Sequence, residues 1–189
     1  INYELDKISN ILDPRGMFGD NLKVYFYKLA IRENYIKTIR TIFEQLNIHI
    51  ENFVPTPLSS ALAILKNDEK ELGSISIDLG AGSTSISIFE NNKLIYLDAI
   101  SVGGQHITKD IARGLSTTIE SAERLKTLYG SVITNPSDDY ELIDVHILGG
   151  NGNQFNQINR SQLNSIIKPR VEETLELIRQ KLKEHNLDK

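Results

Sequence analysis

A short loop rich in small residues carries the side chains best suited to chemistry in this sequence. The run Asp78-Leu79-Gly80-Ala81-Gly82-Ser83-Thr84 lies between two stretches in which apolar and polar residues alternate, as in half-buried strands. Backbone N–H groups of such a turn can surround an anion, and glycines allow the close approach and positive φ that this needs. Ser83 and Thr84 add hydroxyl groups, and Asp78 is suited to hold Mg²⁺ through water. The loop therefore predicts an anion site; a plain hairpin turn is the alternative.

A charged pair further along the chain could extend this site. Glu123 and Lys126 are three residues apart in a predicted helix, so they project from the same face. Pairs of this kind are also common on solvated helices, and that interpretation stands beside the functional one.

The loop resembles the second phosphate motif of the actin, Hsp70 and sugar-kinase superfamily, in which a β-hairpin loop grips the nucleotide phosphates. A comparable Glu-x-x-Lys pair contacts the adenosine in Hsp70-like members. The resemblance implies ATP with Mg²⁺ as the ligand of this loop and of the Glu123–Lys126 pair. Gly149-Gly150-Asn151-Gly152 also follows a strand, but it precedes a long helix that the superfamily places before its adenosine motif. We interpret that segment as a loop only.

Composition excludes several kinds of site. The 189 residues contain no cysteine and four histidines and carry a net charge of −4. Disulfides and cysteine-based metal sites are therefore excluded, and a cytosolic location is consistent with this. The absence of a basic cluster argues against nucleic-acid binding. No apolar stretch is long enough to predict a membrane-spanning helix.

The first part of the chain predicts a small α/β unit. Loop residues 13–19 precede a strand over Leu22–Ile31, rich in β-formers. Apolar residues then recur at helical spacing, with Asn34 as the predicted N-cap and Asn47 as the left-handed residue after the helix. Ile48–Phe53 is predicted as a short strand, and Pro55 marks a subdomain boundary.

The remaining sequence predicts alternating strands, turns and helices around the loop. The predicted elements are a helix over Leu58–Leu65, strands over Ser74–Asp78, Ser83–Glu90 and Leu94–Val102, a turn at Asn91-Asn92, two helices between Ile107 and Leu128, a strand over Leu142–Leu148, and a loop over Gly149–Gln157. A capping box of Asn159 and Gln162 predicts the start of the last helix. Pro169 predicts a kink or a break within it.

Longer segments resemble the bacterial FtsA family in the right order. They are Asp13-Pro14-Arg15-Gly16-Met17-Phe18-Gly19, the run from Pro57 to Ser74, Val102 to Ser116, Ala122 to Lys126, and Ile158 to Leu177. This resemblance covers nearly the whole chain and is more specific than the phosphate loop. It identifies the sequence as an interior piece of an FtsA-family protein.

The resemblance implies a fold and a division into subdomains. The expected fold is mixed α/β, with an actin-like (ribonuclease H-like) sheet, flanking helices and part of a small α/β unit. Residues 1–55 are expected to form part of a 1C-like subdomain, 56–116 a 2A subdomain with the phosphate loop, and 117–189 a 2B-like subdomain.

The resemblance also implies partners and a location. FtsA-family proteins self-associate into filaments and tether the FtsZ ring to the inner membrane at the division site, on its cytoplasmic face. Arg170 and Glu173 are expected to contact the FtsZ C-terminal peptide, and the 1C-like region to contact other division proteins. Membrane attachment is expected through an amphipathic tail that these 189 residues do not include.

Three positions depart from the family pattern. Ala81 and Ser83 replace a glycine and a threonine of the loop, and Ser85 stands where many members have aspartate. The resemblance implies a nucleotide-binding filament and adaptor protein rather than an enzyme, and these departures argue against strong ATP hydrolysis. Because the superfamily closes its site between two lobes, these 189 residues alone are expected to bind ATP weakly or not at all.

Three other functions share this superfamily fold. PilM, an FtsA-like component of type IV pilus assembly, has a similar loop region, but the segments at 13–19 and 112–116 favour FtsA. A sugar or acetate kinase needs a general base beside the acceptor hydroxyl. The sequence offers no isolated carboxylate for that role; Asp110 is the least unsuitable candidate, and a polar residue on a helix surface is the preferred interpretation of it. An Hsp70-like chaperone is disfavoured by the 1C-like opening.

Overall fold

The computed structural model describes residues 2–11, 13–148 and 155–187. Its elements are β1 (Asn2–Leu5), β2 (Ile8–Ile11), β3 (Leu22–Tyr25), α1 (Glu33–Gln45), α2 (Thr56–Ile64), α3 (Asn67–Leu72), β4 (Ser74–Leu79), β5 (Thr84–Glu90), β6 (Lys93–Ile100), α4 (Gly104–Gly114), α5 (Ile119–Tyr129), a 3₁₀ turn (Pro136–Asp139), β7 (Leu142–His146), β8 (Phe155–Asn159) and α6 (Arg160–Glu184). The mixed α/β prediction is confirmed. None of the helices in the described ranges is long and apolar enough to cross a membrane.

The chain divides into two compact units. One comprises Ile1–Ser76 and Ser87–Leu97, and the other comprises Ile77–Ile86 and Asp98–Lys189. Strands β4, β5 and β6 form a sheet in that order, and the residues of each strand are shared between the units. The assignment of 1C-, 2A- and 2B-like subdomains stays a prediction.

The first unit opens with a small sheet of order β2-β1-β3. Strands β1 and β3 are antiparallel, with Glu4 opposite Lys23. Their side chains form a cross-strand ion pair, with 2.7 Å between Lys23 Nζ and Glu4 Oε1. Opposite charges on facing positions stabilise such a pair of strands.

Three local predictions in this unit are wrong. The strand predicted over Leu22–Ile31 ends at Tyr25, and Ile48–Phe53 forms no regular strand. The apolar side chains of these segments are mostly exposed, and β-propensity acts largely through the burial and packing of side chains. Asn34 lies inside α1, whose N-cap is Arg32. Asn47 does adopt the predicted left-handed conformation, with φ of 56°.

The sheet of β4, β5 and β6 supports the phosphate loop. Side chains of β5 from Thr84 to Phe89 are all buried. The predicted turn between β5 and β6 is confirmed, since Asn91 and Asn92 have φ of 50° and 59°. Consecutive left-handed residues are typical of the tight hairpin turns that match strand twist.

The core of the second unit lies between three helices and a two-stranded sheet. Strands β7 and β8 are antiparallel, with Ile143 opposite Ile158. The buried residues that pack together here are Ile111, Ala112, Ala122, Leu125, Ile143, Val145, Ile158, Leu163 and Ile167. Helix α4 comes so close to α6 that a Cβ on Gly114 would lie 2.9 Å from Cδ1 of Ile166.

Helix α6 tests two predictions about its sequence. The N–H of Asn159 donates to Oε1 of Gln162 at 3.0 Å, as the predicted capping box requires. The break at Pro169 does not occur, because the helix runs without interruption to Glu184. Pro169 and Ser165, whose carbonyl loses its helical donor, are both exposed, so this carbonyl is open to solvent. Buried residues on both sides of Pro169, such as Leu163 and Thr174, hold the helix against the core.

The loop predicted over Gly149–Gln157 is wrong at its end. Strand β8 begins at Phe155 and pairs with β7. Asn- and Gln-rich sequence is a poor signal for a strand that forms by pairing with β7. The Gly149–Gly152 segment lies outside the described residues.

Candidate functional site

The phosphate-loop candidate is a tight turn whose backbone shape depends on Gly80. The N–H of Gly80 donates to the carbonyl oxygen of Ser83 at 3.0 Å. A Cβ on Gly80 would lie 2.8 Å from that same oxygen, whereas a Cβ on Gly82 would meet nothing within 4 Å. The glycine at position 80 is therefore required for close approach, and the one at position 82 is not.

The expectation of positive φ in this loop is wrong. Among the described residues, the glycines with positive φ are Gly16 and Gly73. Gly80, Ala81 and Gly82 thus do not need the left-handed backbone conformation that favours glycine. For this reason Ala81, one of the departures from the family pattern, fits the turn without backbone strain.

The loop is fastened to the first turn of α4. The N–H groups of Gly104 and Gln105 donate to the carbonyl oxygens of Gly80 and Ala81, at 2.9 and 2.8 Å. Gly103 makes this approach possible, because a Cβ there would lie 2.5 Å from the Gly80 oxygen. These two helix amides are occupied by the loop, so anion donors must come from the loop itself.

The two loop hydroxyls have different surroundings. Thr84 is fully buried, and its Oγ1 donates to the carbonyl oxygen of Val102 at 2.8 Å. Ser83 is exposed. Ser83 is therefore the accessible hydroxyl, whereas the hydroxyl of Thr84 joins β5 to the segment before α4.

The predicted Glu123–Lys126 pair forms on helix α5. Thr118 caps this helix by accepting the N–H of Ser121 at 3.1 Å. Nζ of Lys126 lies 2.7 Å from Oε2 of Glu123. The hydrogen bonds from Lys126 and then Thr108 lower the pKa of the Glu123 carboxyl, against an opposing effect of burial. Glu123 is thus held ionised.

A cavity of about 1040 Å³ brings the loop and this pair together. Its wall includes Ala81 from the loop, Thr108 from α4, and Glu123 and Lys126 from α5. Typical small-molecule sites have volumes of about 300–1,000 Å³. Further charged groups on the wall are Lys109, Glu120 and Arg124, so cations outnumber carboxylates around it and favour an anionic ligand.

Asp78, the predicted magnesium-linked residue, lies near the end of β4 and is half-buried. Within the described ranges, no three His, Cys, Asp or Glu residues are grouped as for a protein-built metal cage. A single carboxylate fits Mg²⁺ that keeps most of its waters and is bound chiefly by nucleotide phosphates. The role of Asp78 in holding Mg²⁺ through water therefore stays a prediction.

The predicted partner residues lie on α6 and are bonded to acidic side chains. Nε of Arg170 lies 2.6 Å from Oδ2 of Asp110 on α4, and Nη1 of Arg170 bonds to Glu173. The hydrogen bond to Asp110 raises the pKa of Arg170. Asp110, considered above as a general base, is instead paired with a permanent cation.

Sequence reasoning missed Thr108 and the contact between Asp110 and Arg170. Thr108 is buried and sits four residues after Gly104, where threonine commonly bonds back to a carbonyl. Its contacts with α5 have no local signal, and Asp110 and Arg170 are 60 residues apart in sequence.

Comparison with known proteins decides the family. The family model "Cell division protein FtsA" matches residues 75–187. The chain belongs to the FtsA family. Over 181 residues it is 41% identical to the cell division protein FtsA of Agrobacterium fabrum, a match that covers 95% of this chain and 41% of the relative. The chain thus spans about two fifths of the length of that FtsA relative.

Solved structures confirm that this FtsA-family chain has an actin-like fold. MreB5 of Spiroplasma citri bound to ADP aligns with a TM-score of 0.67 and 17% identity, over 81% of this chain and 48% of that one. A PilM–PilN type IV pilus biogenesis complex aligns with a TM-score of 0.56 and 17% identity, over 82% of this chain and 38% of that one. The predicted resemblance to FtsA is confirmed, and the family match favours it over the pilus alternative.

Proposed function

We propose that this chain is the part of an actin-like cell-division protein that binds ATP beside the loop of residues 78–84. One observation carries the proposal: Ala81 of the loop and the Glu123–Lys126 pair line the same cavity. One residue of the predicted phosphate loop and both residues of the pair predicted for adenosine thus lie around one space. The structurally similar MreB5 is described as bound to ADP and to AMPPNP, which supports the same class of ligand here.

Each part of the site has a distinct role in this proposal. Exposed loop residues Gly82 and Ser83 supply backbone N–H groups and one hydroxyl to the phosphates. Asp78 holds a water of Mg²⁺, and the ion neutralises phosphate charge when it is bound. Glu123 accepts hydrogen bonds from the sugar. Thr84 acts through the strand it supports.

The protein acts as a nucleotide-dependent filament and adaptor rather than as an enzyme. Ser85 is buried on β5 and offers no carboxylate where many relatives have one. Asp110 is paired with Arg170, so it is not placed to act as the general base of phosphoryl transfer. Slow hydrolysis is the most that this arrangement supports.

The adaptor function uses helix α6. Arg170 and Glu173 meet the C-terminal peptide of FtsZ, and through it the protein tethers the FtsZ ring at the cytoplasmic face of the inner membrane. Arginine can bind a peptide carboxylate through two parallel hydrogen bonds. The bonds of Arg170 to Asp110 and Glu173 use Nε and Nη1. Residues 1–55 supply contacts to other division proteins, and copies of the protein self-associate.

The test is ATP binding by the complete gene product that carries this sequence. A fluorescent ATP analogue is titrated into the wild-type protein, Glu123→Gln and Glu176→Gln, a surface variant on α6. We expect Glu123→Gln to bind about tenfold more weakly, as removal of a charged hydrogen-bond partner does, and Glu176→Gln to match the wild type. No binding by the folded wild-type protein, or equal binding by all three, would refute the nucleotide site.

A further inference from the structure

Thr108 is placed where the loop, α4 and α5 meet. It is 2% exposed. Its Oγ1 lies 3.1 Å from the carbonyl oxygen of Gly104 and 2.9 Å from Nζ of Lys126, and it donates to Oε2 of Glu123. A threonine hydroxyl has one hydrogen to donate and two lone pairs to accept with. The charged carboxylate takes that hydrogen in preference to a neutral carbonyl, and Lys126 donates to the oxygen.

The ammonium of Lys126 is fully used by the protein. Its three acceptors are Oε2 of Glu123 at 2.7 Å, Oγ1 of Thr108 at 2.9 Å and the carbonyl oxygen of Gly104 at 3.3 Å. An ammonium group has three hydrogens, so a ligand can gain one of them only by displacing a protein acceptor. Gly104 is also the residue whose N–H donates to the loop at Gly80. Lys126 therefore connects α5 to the base of the phosphate loop.

The two carboxylate oxygens of Glu123 differ in their hydrogen bonding. Both Thr108 and Lys126 bond to Oε2, and within the described ranges no hydrogen bond is made to Oε1. The side chain is 53% exposed and lines the cavity. One oxygen is thus anchored while the other keeps its capacity to accept hydrogen bonds from sugar hydroxyls.

We propose that Thr108 is a positioning residue of this site: its hydroxyl fixes Glu123 and Lys126 against α4, which leaves Glu123 as the direct ligand of the ribose and makes Lys126 a structural cation. The proposal rests on the nucleotide function proposed above. It gives the two members of the charged pair different roles: Glu123 contacts the nucleotide, and Lys126 stabilises the protein structure.

The experiment compares Thr108→Val, which keeps the shape and removes the hydroxyl, with Thr108→Ser, which restores the hydroxyl. In the complete gene product labelled with ¹³C-glutamate, the Glu123 carboxyl is assigned by its loss in Glu123→Gln and titrated by NMR. We expect the Glu123 pKa to rise towards its ordinary value in Thr108→Val and to stay low in Thr108→Ser, because the hydroxyl stabilises the charged form. ATP affinity should fall about tenfold in Thr108→Val and recover in Thr108→Ser.

The two measurements separate the positioning role from the nucleotide function. An unchanged Glu123 pKa in folded Thr108→Val would overturn the positioning role whether or not ATP binds. A raised pKa with undiminished ATP affinity would overturn its importance for the ligand. If the wild-type protein binds no ATP, the proposed function fails, and the titration alone decides whether Thr108 positions the pair.

Discussion

Helix α4 serves two regions that differ in how their polar groups are held. Thr108 and Asp110 are two residues apart on it, which turns them about 200° from each other. Thr108 contacts Glu123 and Lys126 on α5, and Asp110 contacts Arg170 on α6. The first region lies in the wall of a cavity with the phosphate loop, whereas the second is a half-exposed group of ion pairs.

This difference indicates how each region can bind its proposed ligand. In the cavity, a buried hydroxyl and backbone hydrogen bonds fix the polar groups before any ligand arrives, and such preorganisation lowers the cost of binding. At α6, Arg170 already has two acidic partners in its own chain. A partner carboxylate must join or replace them, and exposed charges of this kind contribute more to selectivity and association rate than to affinity.

The largest loss of stability and of ATP binding is expected from Gly103→Ala, a substitution in the cavity region. The new Cβ would lie within 2.8 Å of three backbone atoms of the loop, on Gly80, Ala81 and Ser83. Backbone atoms cannot move aside cheaply, so we expect unfolding free energy to fall by about 1–3 kcal/mol and ATP binding to be lost. Thermal unfolding and ATP titration measure this, with Gly82→Ala as the control for thermal unfolding, because a Cβ there meets nothing within 4 Å. Equal losses of stability in the two variants would contradict the loop geometry.

A smaller loss of stability is expected from Asp110→Asn, which removes the ion pair with Arg170 in the α6 region. Asp110 and Arg170 are 24% and 26% exposed, and loss of the pair should cost about 1 kcal/mol of stability. The FtsZ peptide should bind more weakly, because Arg170 loses its anchor, while ATP affinity should not change. Glu172→Gln, an exposed neighbour on the same helix, is the control. Reduced ATP affinity in Asp110→Asn would show that the two regions are not separable.

The smallest expected effect is the contribution of Glu123 to the pH dependence of folding stability. Its pKa is lowered from 4.5 in the folded protein, so its stabilising contribution is complete above that value and is lost as pH falls through the folded pKa. Its side chain is 53% exposed, which keeps the contribution small. The stability difference between wild type and Glu123→Gln, measured from pH 7 to pH 3, should shrink only below about pH 4.5. A change near neutral pH would contradict the assignment.

Local signals predicted the elements that position the cavity. The alternation around residues 74–90 gave two strands of the sheet, and Asn91-Asn92 gave their turn. Helical spacing of apolar residues up to Leu128 predicted α5. These features depend on contacts between residues that are close together in sequence, so the local sequence is enough to predict them.

Features that depend on distant contacts were not predictable in this way. The segment after Tyr25 has β-forming residues, but its apolar side chains are mostly exposed and no regular strand continues there. Strand β8 is set by its pairing with β7. The hydrogen bonds of Thr108 to α5 and of Asp110 to α6 join residues whose proximity only the folded chain creates.

The most direct test measures both ligands on two variants of the complete gene product. ATP analogue and a labelled peptide with the C-terminal sequence of FtsZ are titrated into wild type, Glu123→Gln and Arg170→Glu. The account predicts that Glu123→Gln loses ATP affinity and keeps the peptide, and that Arg170→Glu loses the peptide and keeps ATP. Peptide binding that is unaffected by Arg170→Glu, or ATP binding that is unaffected by Glu123→Gln, would contradict it.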